Sequence, residues 1–397
     1  MRPGVGPAPR LAAIDALRGL ALLGIVQVNI QSFTWGCGEP LGYPQAGETT
    51  WYLLQAVFFE GKFYPIFAFL FGASLVLQAR SRHRPRNGGN APAPGAAVRR
   101  LLVLALLGLA HGLLLYCGDV LAAYALCGLL FLAIAPRRLA ALIRFNRWCW
   151  AIAGASLIVP LALAADSAGA ARRDQIPAAT AFAHLVYCEA GFAGQLGQRA
   201  VDLLSQQVGS LPVFWPELIA LFGLGAIAAR LGWLQHPQRH AAVWRRAWRL
   251  GLALGLPCAL AGAAWSLHRL RATPGLESGW DAVVAGLGSV LAAAYVGAAM
   301  RYFAQRGGTM PLRWLADAGR LSLTHYVGQS LAMALLLSGW GLGWGATASR
   351  GQLAALGLAI FAAQVVLGRW WLRRHSQGPL EALWRRAAYG PPQRAAD

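Results

Sequence analysis

Lysine is almost absent from this chain: Lys62 is the only one, and all other members of its 35 lysines and arginines are arginine. Acidic residues are scarce as well, 15 in 397. Charged side chains reach only 13%, against roughly 25% in soluble domains, which excludes an ordinary water-soluble globule. The six cysteines (Cys37, Cys117, Cys127, Cys149, Cys188 and Cys258) form no C-x-x-C pair and have no paired histidines nearby, so neither structural zinc nor any other metal is expected. One disulfide among Cys37, Cys117 and Cys188 stays open beside the simpler reading of small buried side chains. No fixed-period repeat is present.

What fills the chain instead is apolar sequence, 57% of all residues. Ten segments approach the roughly 20 residues needed to cross a bilayer: 17–31, 51–78, 101–116, 120–135, 149–164, 215–231, 250–265, 282–299, 321–340 and 353–371. Only helices and closed barrels satisfy their own backbone there, and segments of this length predict helices. The expected fold is therefore all-α: a polytopic integral-membrane bundle of about ten transmembrane helices. Its blocks are 1–165, an extracytoplasmic loop at 166–212 and 213–390. The loop mixes polar and aromatic residues, as an amphipathic interfacial or re-entrant helix or a lid would.

The net charge of +20 would suggest nucleic acid in a soluble protein, but here the arginines sit in alternate short connections. They include Arg80, Arg99 and Arg100, then Arg137 and Arg138, Arg245 and Arg246, Arg301 and Arg320, with Arg10 and Arg385 near the ends. The positive-inside rule places them in the cytoplasm with both termini, and no nucleic-acid partner is expected. Arg172, Arg173, Arg199, Arg269, Arg271 and Arg350 are the exceptions. The first apolar run lacks a small-x-small cleavage site, so a retained helix is expected rather than a signal peptide. Abundant arginine and alanine with one lysine fit a bacterial protein of the inner membrane.

Ionisable side chains at membrane depth are costly and mark candidate sites. Asp15 and Arg18 are three apart on one helix face and can pair, as a site or as an interfacial anchor. Asn29 lies about 16 Å further across, able to bridge helices or to polarise a substrate carbonyl. Glu60 and Lys62 flank Gly61 and meet at one site only if that glycine breaks the helix; interfacial snorkelling is the alternative. His111 lies about 16 Å beyond Arg100, with Asp119 in the short connection that follows and Tyr124 one turn on. A histidine next to a carboxylate suits general-base or proton-relay work, and a purely structural histidine remains open. Neither a serine nor a cysteine nucleophile has an evident place beside it. His325 and Tyr326 at the start of the ninth segment, with Glu381 in the tail, can line a pocket at the arginine-rich face.

The stretches Asp15-Ala16-Leu17-Arg18-Gly19-Leu20-Ala21 with Asn29, Phe59-Glu60-Gly61-Lys62-Phe63-Tyr64 and Gly118-Asp119-Val120-Leu121 resemble the YeiB-type membrane family, whose members carry a domain of unknown function (418). The His111, Gly319–Tyr326 and Gly378–Trp384 stretches resemble it too; at His325 the family more often has asparagine. The first segment is similar, more distantly, to the transmembrane acyltransferase superfamily of heparan-alpha-glucosaminide N-acetyltransferase. That superfamily relative moves acetyl groups from cytosolic acetyl-CoA to a sugar amine, using a histidine after its first span. No histidine precedes His83 here, so that role is vacant or falls to His111. The resemblance implies an acyltransferase with acyl-CoA as cosubstrate and a sugar, lipid or small-molecule acceptor, working among membrane lipids, with a homodimer possible in principle. On that reading His111, Asn29 and Asp119 are catalytic, while Lys62, Glu60, Asp15, Arg18, Tyr124, His325, Tyr326 and Glu381 bind substrate. A transporter or exporter of a small polar solute is the competing expectation, because the same intramembrane groups suit a proton relay.

Overall fold

The computed structural model describes residues 12–33, 47–82, 95–158, 182, 185–272, 279–305 and 312–389. Among them the regular structure is entirely helical: α1 (Ala12–Ser32), α2 (Thr49–Phe58), α3 (Tyr64–Arg82), α4 (Ala96–Leu114), α5 (Leu121–Ile134), α6 (Leu139–Ser156), α7 (Phe192–Gly209) and α8 (Phe214–Arg230). There follow α9 (Ala241–Ala272), α10 (Gly279–Gln305), α11 (Arg313–Arg320), α12 (Ser322–Leu337), α13 (Arg350–Leu372) and α14 (Pro379–Tyr389). Cys37 lies outside the described residues, and Cys117, Cys127, Cys149 and Cys258 are free thiols.

Each of the ten expected segments overlaps a helix among the described residues, 159–164 lying outside them, but length separates them. Among the described residues five helices, α1, α4, α9, α10 and α13, are long and apolar enough to cross a membrane, or six if the bent pair α7–α8 counts as one span. The helix α5 has 14 residues, about 21 Å against a hydrocarbon core of about 30 Å. The second expected span is broken: Gly61 has a φ of 74°, and α2 and α3 lie on either side of it. Between α7 and α8 the axis bends by 67°. Helices such as α4, α9 and α13 turn Leu106, Leu254, Val366 and Leu367 outward, the exposure expected of surfaces that face lipid. The protein is a helical membrane protein.

The helix α1 is the hub, packed against α3, α10, α11, α12 and α13. It approaches α11 at backbone contact, because Gly19 lies against the Leu315 carbonyl and Gly319 against the Asp15 carbonyl. Small residues at such crossings let membrane helices gain close van der Waals contact where no hydrophobic effect drives association. The same logic pairs α3 with α8. At the head of α13, Ser349 and Gln352 form a reciprocal capping box that stops the helix from fraying backward.

Gly319→Ala would place a methyl group into the Asp15 carbonyl. It is expected to cost about 1–3 kcal/mol, the usual range for overpacking, and to lower the thermal unfolding temperature in detergent, whereas Gly154→Ala on an open helix face leaves it unchanged.

Candidate functional site

Two polar features share the centre of the bundle. The first is a cavity of about 490 Å³ between α1, α3, α4, α5, α12 and α14. Its walls carry Asp15, Arg18, Ser74, Gln78 and Arg100, with Arg320, Glu381, Trp384 and Arg385 opposite. Arg18 donates from Nη1 to Asp15 Oδ1 at 3.0 Å and from Nη2 to Ser74 Oγ at 2.7 Å. Arg100 bonds Gln78 and lays its guanidinium 4.3 Å from the Trp384 ring centre; the Trp384 indole N–H in turn donates to the Arg100 carbonyl. Four arginines thus gather around one cavity, and Phe67, Phe71, Val120, Leu121, Tyr124 and Tyr326 are among the rest of its lining.

The second feature stands behind that lining. His111, at the end of α4, and Asp119, in the hairpin before α5, are both buried, with Nδ1 and Oδ1 2.8 Å apart. Asp119 Oδ2 accepts the Ala122 N–H at 2.8 Å, at the first turn of α5, where a carboxylate meets open helix amides. An ionised carboxylate can only accept, so Nδ1 carries the proton and Nε2 is left as a base. Nε2 is buried without a hydrogen-bond partner among the described residues. The Tyr326 ring stands 4.9 Å from the His111 ring, centre to centre, and belongs also to the cavity wall, so one aromatic ring is shared by the two features. From α1, Ser32 bonds the Tyr116 hydroxyl and Phe33 stacks on its ring at 4.7 Å, bringing the turn that holds half-buried Asn29 to this hairpin. Burial pushes the Cys117 thiol in the hairpin up to about 11, so it offers no thiolate near neutral pH.

The structure therefore brings together the expected pairs Asp15–Arg18 and His111–Asp119, and sets Tyr124, Tyr326 and Glu381 around the same cavity. Glu381 has a local task there: its Oε1 accepts the Leu323 and Thr324 amides at 2.7 and 3.1 Å, capping α12 from the tail. His325 is not among the cavity residues; its ring abuts Gly368 on α13. Lys62, 1% exposed, is absent from the cavity too. Its ammonium donates to the Ala56 carbonyl at 2.6 Å, where a cation suits the carbonyl end of α2, while Glu60 is exposed. A second cavity of about 410 Å³ between α1, α10 and α11 has no ionisable lining besides Tyr295 and Tyr302. Among the described residues no three His, Cys, Asp or Glu side chains converge as a metal set.

Sequence reasoning missed Ser74, Gln78 and Arg100 in the cavity, which only the fold brings to Arg18. It also missed Glu217, buried on α8, whose Oε2 accepts the Tyr64 hydroxyl at 2.7 Å. An acid opening an apolar helix, in Phe214-Trp215-Pro216-Glu217, was the available signal.

Residues 228–391 match the sequence profile of a family described as "Protein of unknown function (DUF418)". The chain is 26% identical to "Uncharacterized protein YxaH" of Bacillus subtilis (strain 168), over 96% of this chain and 94% of that one. It is 28% identical to "Uncharacterized protein YeiB" of Escherichia coli (strain K12), over 95% of each. A further protein, "Uncharacterized 39.9 kDa protein in amylase 3'region" of Bacillus acidopullulyticus, is 39% identical over 124 residues, 31% of this chain and 33% of that one. No solved structure matches the chain.

Removing the hairpin carboxylate tests how far it holds this site together. Asp119→Ala strands His111 Nδ1 and the Ala122 amide, and is expected to cost about 2–4 kcal/mol for two buried partners, while Asp119→Asn costs less. Thermal unfolding in detergent ranks the two; equal midpoints for Asp119→Ala and wild type would show the pair to be dispensable for the fold.

Proposed function

We propose that this chain, a member of the YeiB-like DUF418 family, is an inner-membrane acyltransferase that moves an acyl group from cytosolic acyl-CoA to a hydroxyl or amine reached from the opposite face. The observation that carries this reading is the buried His111–Asp119 pair, with Nε2 unpartnered, one aromatic ring away from a cavity that gathers four arginines. With both termini and the arginine-rich face in the cytoplasm, Arg18, Arg100, Arg320 and Arg385 meet the phosphates of coenzyme A, which bidentate guanidinium groups bind well. The acyl arm lies along Phe67, Phe71 and Tyr124 toward Tyr326.

His111 Nε2 takes the proton of the acceptor O–H or N–H as the acceptor attacks the thioester carbonyl. Asp119 holds Nδ1–H and stabilises the imidazolium. The tetrahedral adduct collapses with cleavage of the C–S bond, and the imidazolium returns the proton to the thiolate, leaving free coenzyme A. Asn29 is assigned to the carbonyl oxygen as it gains charge. Lys62 and Glu60 have no step in this sequence; Lys62 closes the α2–α3 break.

Calorimetry on protein in nanodiscs tests the donor half. Saturable binding of acetyl-, succinyl- or palmitoyl-CoA is expected, at least tenfold weaker for Arg385→Ala. His111→Ala is expected to keep that binding and to lower transfer of labelled acyl groups into a membrane extract by about 100-fold or more, the general-base contribution. No binding of any of the three at millimolar concentration overturns the proposal, and solute flux in proteoliposomes without acyl-CoA would replace it with export.

A further inference from the structure

The hairpin that holds Asp119 is covered on its far side by α7, and α7 is built inside out for a water-exposed helix. Val201, Leu204 and Val208 face outward, more than half exposed, while Gln195, Arg199 and Leu203 are turned in and buried. Leu203 packs over Gly112 of α4, and Gln207 donates to the Asp119 carbonyl at 3.0 Å. The apolar outer stripe suits contact with lipid, with Gln195, Arg199 and Leu203 on the buried side.

Arg199 is the anomaly. It is 2% exposed, and its Nε and Nη2 have no hydrogen-bond partner among the described residues. The nearest aromatic face, Phe192, lies 5.2 Å from the guanidinium carbon and accepts no hydrogen bond of ordinary strength. Asp202, one turn along, is engaged by the Tyr187 hydroxyl and by Gln198 Nε2 at 2.7 Å. A guanidinium does not give up its proton, so a buried one with open N–H groups calls for an anion. In the charge pattern, too, Arg199 was an exception, an arginine on the arginine-poor side.

We propose that Arg199 receives a phosphate group beneath α7, on the opposite side of the His111–Asp119 pair from the arginine-lined cavity. Its planar pair of N–H donors matches two phosphate oxygens, and the lipid-facing stripe of α7 brings headgroups to its level. Resting on the acyl-transfer reading, this phosphate belongs to the acceptor and holds its hydroxyl or amine toward His111.

The test uses full-length protein in phosphatidylcholine nanodiscs, titrated in a calorimeter with inorganic phosphate and, separately, with dioctanoyl phosphatidate. Wild type is expected to bind at least one probe saturably, and Arg199→Gln to bind it at least tenfold more weakly. Binding of both probes assigns a free phosphate group as sufficient; binding of phosphatidate alone assigns the lipid headgroup as the source. Should Arg199→Gln fail to fold, Asp202→Asn removes the neighbouring negative charge and is expected to tighten binding about threefold or more. Arg199→Gln equal to wild type, no tightening in Asp202→Asn, or no binding of either probe overturns the proposal. Coenzyme A titrated into the same discs reads the other site: loss of phosphatidate binding in Arg199→Gln stands even where coenzyme A does not bind, an outcome that removes only the acyl-transfer reading.

Discussion

Asp119 is the group on which the middle of this bundle depends. Its two carboxylate oxygens engage His111 of α4 and the Ala122 amide of α5, and its carbonyl receives Gln207 of α7. Three helices are therefore registered by one residue in the six-residue connection 115–120. In a dry interior an unmade hydrogen bond carries its full desolvation penalty, so these contacts must be made together. The consequence for chemistry is orientation: the ionised carboxylate accepts the hydrogen bond from Nδ1–H and leaves Nε2 buried without a partner among the described residues. Gly108, against the Ala122 amide and the Asp119 carboxylate, leaves room for that close approach of α4 to α5.

Charge is distributed unevenly for the same reason. Arg18, Arg100 and Arg320 all have partners: Asp15 and Ser74, Gln78 and the Trp384 ring, Asp317 and the Ser376 carbonyl. They are partly solvated side chains that can exchange such contacts for a ligand's. Arg199 is enclosed, and exchange with water is not open to it. A cavity rimmed with solvated arginines tolerates large anions of varied shape, whereas a single enclosed guanidinium recognises one small oxyanion with defined geometry. The two sides of the His111–Asp119 pair thus differ in kind as well as in number of charges.

Much of this was legible in the chain. Apolar segment length and arginine spacing indicated a helical membrane protein, and the three-residue spacing of Asp15 and Arg18 predicted their ion pair. The eight residues from His111 to Asp119 fit within the end of one helix and a tight hairpin, so local geometry alone brought them together. Contacts made between distant segments were not legible. Ser74 reaches Arg18 across 56 positions and Glu381 caps α12 across 58, and no periodicity encodes such pairings. Where a segment turns was not legible for a related reason: hydropathy sums composition along a window, while Gly61 and the α7–α8 bend change direction within one. Lys62 shows a structural task that its rarity alone did not indicate. Its rarity suggested ligand chemistry or interfacial snorkelling, and in the fold its compact ammonium satisfies the carbonyl end of α2 at that break.

Tyr326 gives the arrangement its asymmetry. Its ring belongs to the cavity wall on one side and lies on His111 on the other, and its hydroxyl is held, loosely, by the Val120 amide at 3.5 Å. The ring is thus the side chain that the two polar features share, and the His111 Nε2 atom stays buried without a hydrogen-bond partner among the described residues. Under the proposed acyl transfer, turning of this one side chain, whose hydroxyl is held by one long hydrogen bond, would join the cavity to the pair. A rigid aliphatic wall would have required a helix to shift. The α1–α11 backbone contact makes such a shift costly, so the bundle confines adjustment to side chains at the point where its two polar features meet.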